Sequence, residues 1–243
     1  MESFKFKKFS VKNSDSAMRV GTDGVLLGAW ADINFKTVRV LDIGTGTGVI
    51  SLILAQRLSE SEVPFNIIGI DIDIPSATEA NYNFEHSPWQ KRLKALPIAL
   101  DNFISNTDKY GNEIYDLIVS NPPYFINSLK ASNVRRSSAR HTDSLSFYDI
   151  VQAAHERLST EGRLSIILPP DEFEVFKDIA MKNGFYLRRR CQISTTPRKL
   201  PKRVMAEFSM TEGKIQEDFL IIQDGSDFTN DYKILTKNFY LKF

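Results

Sequence analysis

Between Val38 and Leu168 the chain alternates short β-branched runs with longer helical stretches, and this alternation narrows its possible folds more than any other feature. Val38–Ile43 (VRVLDI), Asn66–Asp71 (NIIGID), Ala95–Leu100, Tyr115–Ser120 (YDLIVS) and Arg163–Leu168 (RLSIIL) read as strands. Val49–Leu58, Ser76–Phe84, Tyr148–Leu158 and Asp171–Asn183 read as helices. Pro88 must follow the second helix, Pro169-Pro170 stop the fifth strand, and Gly184 ends the last helix. Strands of this composition, spaced by helices, imply an α/β fold with a mostly parallel sheet and helices on both faces. After Gly184 the pattern changes. Tyr186–Ser194, Val204–Met210 and Phe219–Gln223 are strand-like with no helix between them. They are expected to pair antiparallel at one edge, with Arg198–Arg203 as a proline-stiffened basic loop. Nothing resembling a linker divides residues 1–243, so a single domain is expected, with 184–243 supplying the antiparallel strands.

Charge adds a second constraint. The formal net charge is only +1, yet no acid occurs from Ile179 to Ala206, where Lys182, Arg188, Arg189, Arg190, Arg198, Lys199, Lys202 and Arg203 fall. Lys130, Arg135, Arg136 and Arg140 form a second cluster, and Lys5, Lys7, Lys8 and Lys12 a third. One cluster is ordinary solvated surface; three in a neutral chain predict a basic face for a polyanion. The apolar runs are all too short for a membrane span. A lone cysteine, Cys191, excludes an internal disulfide and any multi-cysteine metal site, which fits a reducing cytoplasm. No metal ligand set is expected.

Asp42-Ile43-Gly44-Thr45-Gly46-Thr47-Gly48 follows a strand and opens a helix. Glycines there allow a sharp turn and close backbone approach to a ligand. The dinucleotide fingerprint fails, because Val49 stands three places after Gly46, and no phosphate-loop motif is present. The run instead resembles the first motif of Rossmann-like methyltransferases. That resemblance implies S-adenosylmethionine as cofactor, with Asp42, Gly44, Gly46 and Gly48 lining the pocket for its amino-acid end. Asp71 ends the next strand, where a carboxylate can accept both ribose hydroxyls. A helix cap is the plainer role for such a residue, and Asp73 competes for the ribose. By the same resemblance, Asp101 accepts from the cofactor's adenine amino group and Asn102 contributes backbone contacts. Upstream, Thr22 or Asp23 either caps a helix or belongs to a 1–37 segment that lids the cofactor.

Asn121-Pro122-Pro123-Tyr124 ends the fourth strand, at the edge where open α/β sheets place ligands. Two prolines fix φ and remove N–H donors, which leaves a rigid edge of carbonyl acceptors suited to a substrate –NH2. The Asn121 amide oxygen and the Pro122 carbonyl can each take one N–H, aiming the nitrogen lone pair at a methyl donor. Tyr124 offers a face on which a flipped base can stack. On its own the motif is also a common strand-ending turn.

Together these features resemble the bacterial valine-tRNA adenine-37 N6-methyltransferase family, from about Phe4 to Met210. Val20–Trp30 (VGTDGVLLGAW), Asp42–Gly48, Asn121–Tyr124 and Arg140-His141 before Leu145-Ser146-Phe147 carry the resemblance. It implies a Rossmann-like sheet of seven strands with an antiparallel edge strand, and methylation of N6 of the adenine beside the anticodon of one valine tRNA. A cytoplasmic monomer with no obligate protein partner is expected. Lys130, Arg135, Arg136, Arg140 and His141 would then meet RNA, as would Arg188, Arg189, Arg198, Lys199, Lys202 and Arg203. His141 could instead be catalytic, and the arginines could instead keep an edge strand soluble. Transfer to guanine N2 of rRNA or to DNA adenine uses the same loop logic. Transfer to a protein glutamine is disfavoured by the 37 residues before Val38, and a non-catalytic RNA-binding module by the intact motifs.

Overall fold

The computed structural model describes residues 3–16, 19–33, 37–61, 63–123 and 145–242. The amino-terminal part holds β1 (Ser3–Lys5), β2 (Ser10–Lys12) and α1 (Thr22–Trp30). An alternating core follows: β3 (Arg39–Ile43), α2 (Val49–Leu58), β4 (Asn66–Asp71), α3 (Ile74–Glu85) and β5 (Leu93–Pro97). It continues with α4 (Leu100–Ser105), α5 (Thr107–Tyr110), β6 (Tyr115–Ser120), α6 (Phe147–Arg157), β7 (Leu158–Leu168) and α7 (Pro170–Lys182). The carboxyl-terminal part is β8 (Tyr186–Ser194), β9 (Arg203–Ser209), β10 (Gln216–Ile221), β11 (Gln223–Asp224), β12 (Asp227–Phe228) and α8 (Asn230–Thr236).

The central sheet runs β10-β8-β9-β7-β6-β3-β4-β5. Its strands alternate sides as period 2 requires. Leu117 and Val119 of β6 join one core with α1, α2 and α8, while Ile118 joins the other with α4, α6 and α7. Each fully buried Leu, Ile or Phe contributes about 1.5–3 kcal/mol relative to exposure, so both helical layers are needed to hold the sheet. Against α2, helix α1 approaches closely because Gly24 and Gly28 face it. A Cβ on Gly24 would lie 2.9 Å from Val49, and one on Gly28 3.0 Å from Ile53.

Two expectations about the sheet need correction. It has eight strands among the described residues, not seven, and its one antiparallel strand, β9, lies inside the sheet between β7 and β8. β10 pairs parallel to β8 instead of antiparallel. The cause is geometric. Both edges of β9 are occupied, so after the short connection from Ser209 to Gln216 the strand that reverses from it adds at the near free edge, that of β8, where its direction is parallel to β8. Arg188 fixes the connection, donating from Nη1 to the carbonyls of Thr211 (2.9 Å) and Glu212 (3.1 Å).

Candidate active site

The carboxyl ends of β3, β4, β5 and β6 surround a cavity of about 670 Å³. Gly44, Gly46 and Gly48 all have positive φ, between 53° and 79°. At Gly44 (φ +73°) an added Cβ would meet nothing within 4 Å, so the bare backbone there faces open cavity. The turn is stitched to the neighbouring strand: Gly44 N and Thr45 N donate to the Ile70 carbonyl at 2.9 and 3.0 Å. Gly46 N donates to Asp71 Oδ2 and Asp73 N to Asp71 Oδ1, both at 2.9 Å. Asp71 is thus oriented through both oxygens, each of which can accept a further bond. Burial pushes its pKa up, against the lowering effect of those backbone donors. Asp73 is the N-cap of α3, accepting from Ser76 N (3.0 Å) and Ser76 Oγ (2.6 Å). Its Oδ2 is thereby committed to the start of the helix, whereas both oxygens of Asp71 are held by backbone donors of the cavity turn.

Three residues expected on the cavity wall lie elsewhere. Asp42 is fully buried beneath the turn, where Thr45 Oγ1 (2.8 Å) and Ser51 Oγ (2.7 Å) donate to its Oδ2. Burial raises its pKa to about 6, with the Ser51 and Thr45 hydroxyls opposing. Gly48 is the N-cap of α2, and a Cβ there would lie 2.4 Å from the Phe84 ring; it serves helix packing. Asn102 is exposed in the first turn of α4, off the wall, because β5 ends at Pro97, before the position expected for it. Asp101 does line the cavity, as do Thr22 and Asp23. Neither of the last two is a cap: α1 is N-capped by Gly21 without a side-chain bond. Asp23 instead accepts from Arg203 Nε at 2.6 Å.

On the facing side Asn121 and Pro123 line the same cavity, and Pro122 between them in the chain is buried. Ser120 Oγ donates to the Ile43 carbonyl at 2.8 Å, tying this loop to the start of the glycine turn. Tyr124, Lys130, Arg135, Arg136, Arg140 and His141 lie outside the described residues. The remaining cations divide. Arg188 and Arg189 are half-buried and bonded within the protein. Arg188 holds the β9–β10 connection as described. Arg189 pairs with fully buried Glu207 at 2.9 Å and lies 4.2 Å from the centroid of the Trp30 ring. Arg198, Lys199 and Lys202 are exposed on the loop beyond the carboxyl end of β8, and Arg203 at its base reaches Asp23.

Several site residues carried no signal in the motifs. Ile72, Ile98, Ala99 and Leu100 give the cavity an apolar side suited to a flat heteroaromatic ring. Asp149 also lines it; the capping box it forms with Ser146 could have placed it at a helix start. Arg19 also lines the cavity, and upstream α3 clasps residues 14–16: Glu79 accepts from the backbone N–H groups of Ser14, Asp15 and Ser16 at 2.8–3.0 Å. Asn83 takes Lys12 N at 2.7 Å and donates to the Thr47 carbonyl at 2.9 Å, joining that segment to the glycine turn. Among the described lining residues the charged groups are Arg19 and five carboxylates, Asp23, Asp71, Asp73, Asp101 and Asp149. No group of His, Cys, Asp and Glu that could hold a metal ion occurs among the described residues, nor any helix long and apolar enough to cross a membrane.

Comparison with known proteins points the same way. Residues 9–172 match the family model of the methyltransferase small domain. Proteins from Bacteroides fragilis and Flavobacterium psychrophilum, both named tRNA1(Val) (adenine(37)-N6)-methyltransferase, are 39% and 40% identical over 240 residues. The alignments cover 98% of this chain and 98% and 99% of those. Among solved structures, an Agrobacterium tumefaciens protein described as a predicted O-methyltransferase superposes with a TM-score of 0.67 at 17% identity, covering 89% of this chain and 96% of that one. A T. thermophilus 16S rRNA N2 methyltransferase solved with AdoMet and guanosine gives 0.55 at 17% identity, over 86% of this chain and 49% of that one. At such identities the structural likeness speaks for the fold alone.

Proposed function

The chain belongs to the methyltransferase small domain family and, within it, to the tRNA1(Val) (adenine(37)-N6)-methyltransferases; from this we propose that it transfers a methyl group from S-adenosylmethionine to N6 of adenine 37 in a valine tRNA. One observation carries the chemistry: Asn121 and Pro123 share a cavity with Asp71 and the glycine turn. The cavity's residues fit this cofactor. Bare backbone at Gly44 admits its amino-acid end, and Asp71 keeps acceptor capacity for ribose hydroxyls. The apolar side from Ile98 to Leu100 suits its adenine. The excess of carboxylates complements a molecule whose sulfonium and ammonium outweigh its carboxylate.

When bound, the cofactor supplies an electrophilic methyl group on sulfur. The protein's own task is to orient the acceptor. An exocyclic amine conjugated to a ring is a weak nucleophile. The Asn121 amide oxygen and the Pro122 carbonyl accept its two hydrogens, drawing the lone pair out of conjugation and toward the methyl carbon. The nitrogen needs no deprotonation before attack, and its surplus proton leaves afterwards to solvent. Residues before β3 cover the donor side: Arg19, Thr22 and Asp23 stand on the wall, held through the Glu79 clasp and the Arg203 pair. A tRNA acceptor also places the reaction in the cytoplasm.

The test is transfer from labelled S-adenosylmethionine to total RNA of a strain lacking the gene, followed by nucleoside mass spectrometry. Label in N6-methyladenosine from tRNA is expected. Label in N2-methylguanosine or in protein would overturn the assignment.

A further inference from the structure

Adenine in a folded RNA loop is stacked, and its amine cannot reach Asn121 until it leaves the stack. We propose that Leu200 is the wedge that enters the loop beside the departing adenine. The proposal rests on the tRNA-adenine reading above and names the residue of this chain that opens the substrate.

Leu200 sits on the connection from β8 to β9, a finger rising from the carboxyl edge of the sheet. Its base is fixed to the donor cavity, because Arg203 pairs at 2.6 Å with Asp23 of the cavity wall. Three residues span at most about 11 Å, so the tip is held close to that wall. The finger is stiff. Lys199 N donates to the Thr196 carbonyl at 3.1 Å across a turn with Pro197 in its second place, and Lys202 N closes the loop on the Ile193 carbonyl at 2.8 Å. Pro201 restricts Leu200 itself to extended backbone. The chain that leaves β10 props the other side, with Ile222 N and Gln223 N donating to the Ser194 and Thr195 carbonyls at 2.9 and 3.0 Å.

At the tip Leu200 is 84% exposed, the most of any large hydrophobic residue among those described. A single exposed leucine needs no explanation on ordinary surface. This one stands on a braced finger between exposed Arg198, Lys199 and Lys202, three residues before the Arg203 that pairs with Asp23 of the cavity wall. The cations draw the phosphate backbone down, and the apolar tip then meets the bases. Apolar side chains that replace a base in a stack offset an unstacking cost of a few kcal/mol per step. Among the described residues Leu200 belongs to neither core, so its truncation should leave the fold intact.

The experiment compares Leu200→Ala with the unaltered chain on two RNA stem-loops. One carries the target adenine in a stacked loop; the other has an abasic nucleotide beside that adenine, which removes its stacking partner. Leu200→Ala should lower kcat/KM about tenfold on the stacked loop and within about twofold on the abasic one, the difference reflecting unstacking. Affinity for S-adenosylmethionine should not change, and Leu200→Met should restore most of the activity. Equal activity of the two proteins on the stacked loop, or the same loss on both RNAs, would overturn the wedge. If the unaltered chain methylates neither RNA, the acceptor assignment falls and the wedge with it.

Discussion

The donor wall and the acceptor rim of this cavity are built in opposite ways. The wall from β3 to β4 is buried, and its key groups are bonded to residues within about one βα unit: Gly46 to Asp71, Asp42 to Thr45 and Ser51. The rim ends on exposed Pro123 and is tied to a partner far away in the chain, Ser120 on Ile43. A small cofactor of fixed shape rewards a preformed wall, whereas a folded RNA must be met by groups that remain in solvent. If that division is functional, substitutions on the two sides should fail in different measurements. Asn121→Ala should show it most strongly. Loss of a preorganised polar group at the reacting atom costs about 10²–10³ in kcat, while the dissociation constant for S-adenosylmethionine, measured by calorimetry, should stay within about twofold. A large loss of donor affinity would mean that Asn121 belongs to the wall.

Asp42 breaks the comparison in a second way, since it should matter to folding and not to either substrate. Folding raises its pKa to about 6 from an ordinary 3.8. Its contribution to stability is therefore complete below about pH 3.8 and is lost as pH rises through about 6. At about 1.4 kcal/mol per unit, this makes a loss of about 3 kcal/mol. Asp42→Asn keeps an oxygen that can accept from Thr45 and Ser51 but has no charge to bury. Urea unfolding across pH 4 to 7 should show that pH-dependent component shrink, with donor affinity little altered. Asp71→Ala should do the converse. Hydrogen bonds to a charged group contribute about 1.5–3 kcal/mol, so the dissociation constant for S-adenosylmethionine should rise about thirtyfold, with kcat at saturating donor nearly kept. A turnover defect in place of an affinity defect would remove Asp71 from the ribose.

The same division explains what could be read from the sequence. The glycine turn, the strands feeding it and the Asn121–Pro123 edge were legible because their geometry is local: positive φ at Gly44 and a proline-fixed carbonyl edge must be encoded where they occur. Asp71 was legible only as one of two carboxylates, because the cap that occupies Asp73 depends on where α3 begins. Asp42 and Gly48 carried the motif but not the contact, since the strand turns Asp42 toward α2 and Gly48 faces Phe84. The internal partners of the arginine run were illegible for the same reason. Register across the sheet sets Arg189 against Glu207, a partner 18 positions away that a run of like charge does not disclose. Eight strands instead of seven follow from which sheet edge was free, a property of the assembled fold.

One basic stretch thus contains two kinds of cation, and this gives the finest test of the comparison. Arg198, Lys199 and Lys202 point to solvent on the finger, whereas Arg188 and Arg189 are bonded inward. Reversing the three finger cations to Glu should weaken tRNA binding about tenfold at moderate salt. It should also flatten the dependence of log K on log salt by up to about 0.9 for each phosphate that is no longer neutralised. Donor affinity should survive, since Arg203 and its pair with Asp23 are untouched. Arg189→Glu should behave differently, lowering the unfolding midpoint because buried Glu207 loses its counter-charge, while the salt slope of the folded fraction keeps its value. A salt slope that fell equally in both variants would mean that the inward arginines also reach RNA. An unchanged slope in the finger variant would move the phosphate-binding groups away from this edge and remove the electrostatic guide that brings a base to Leu200.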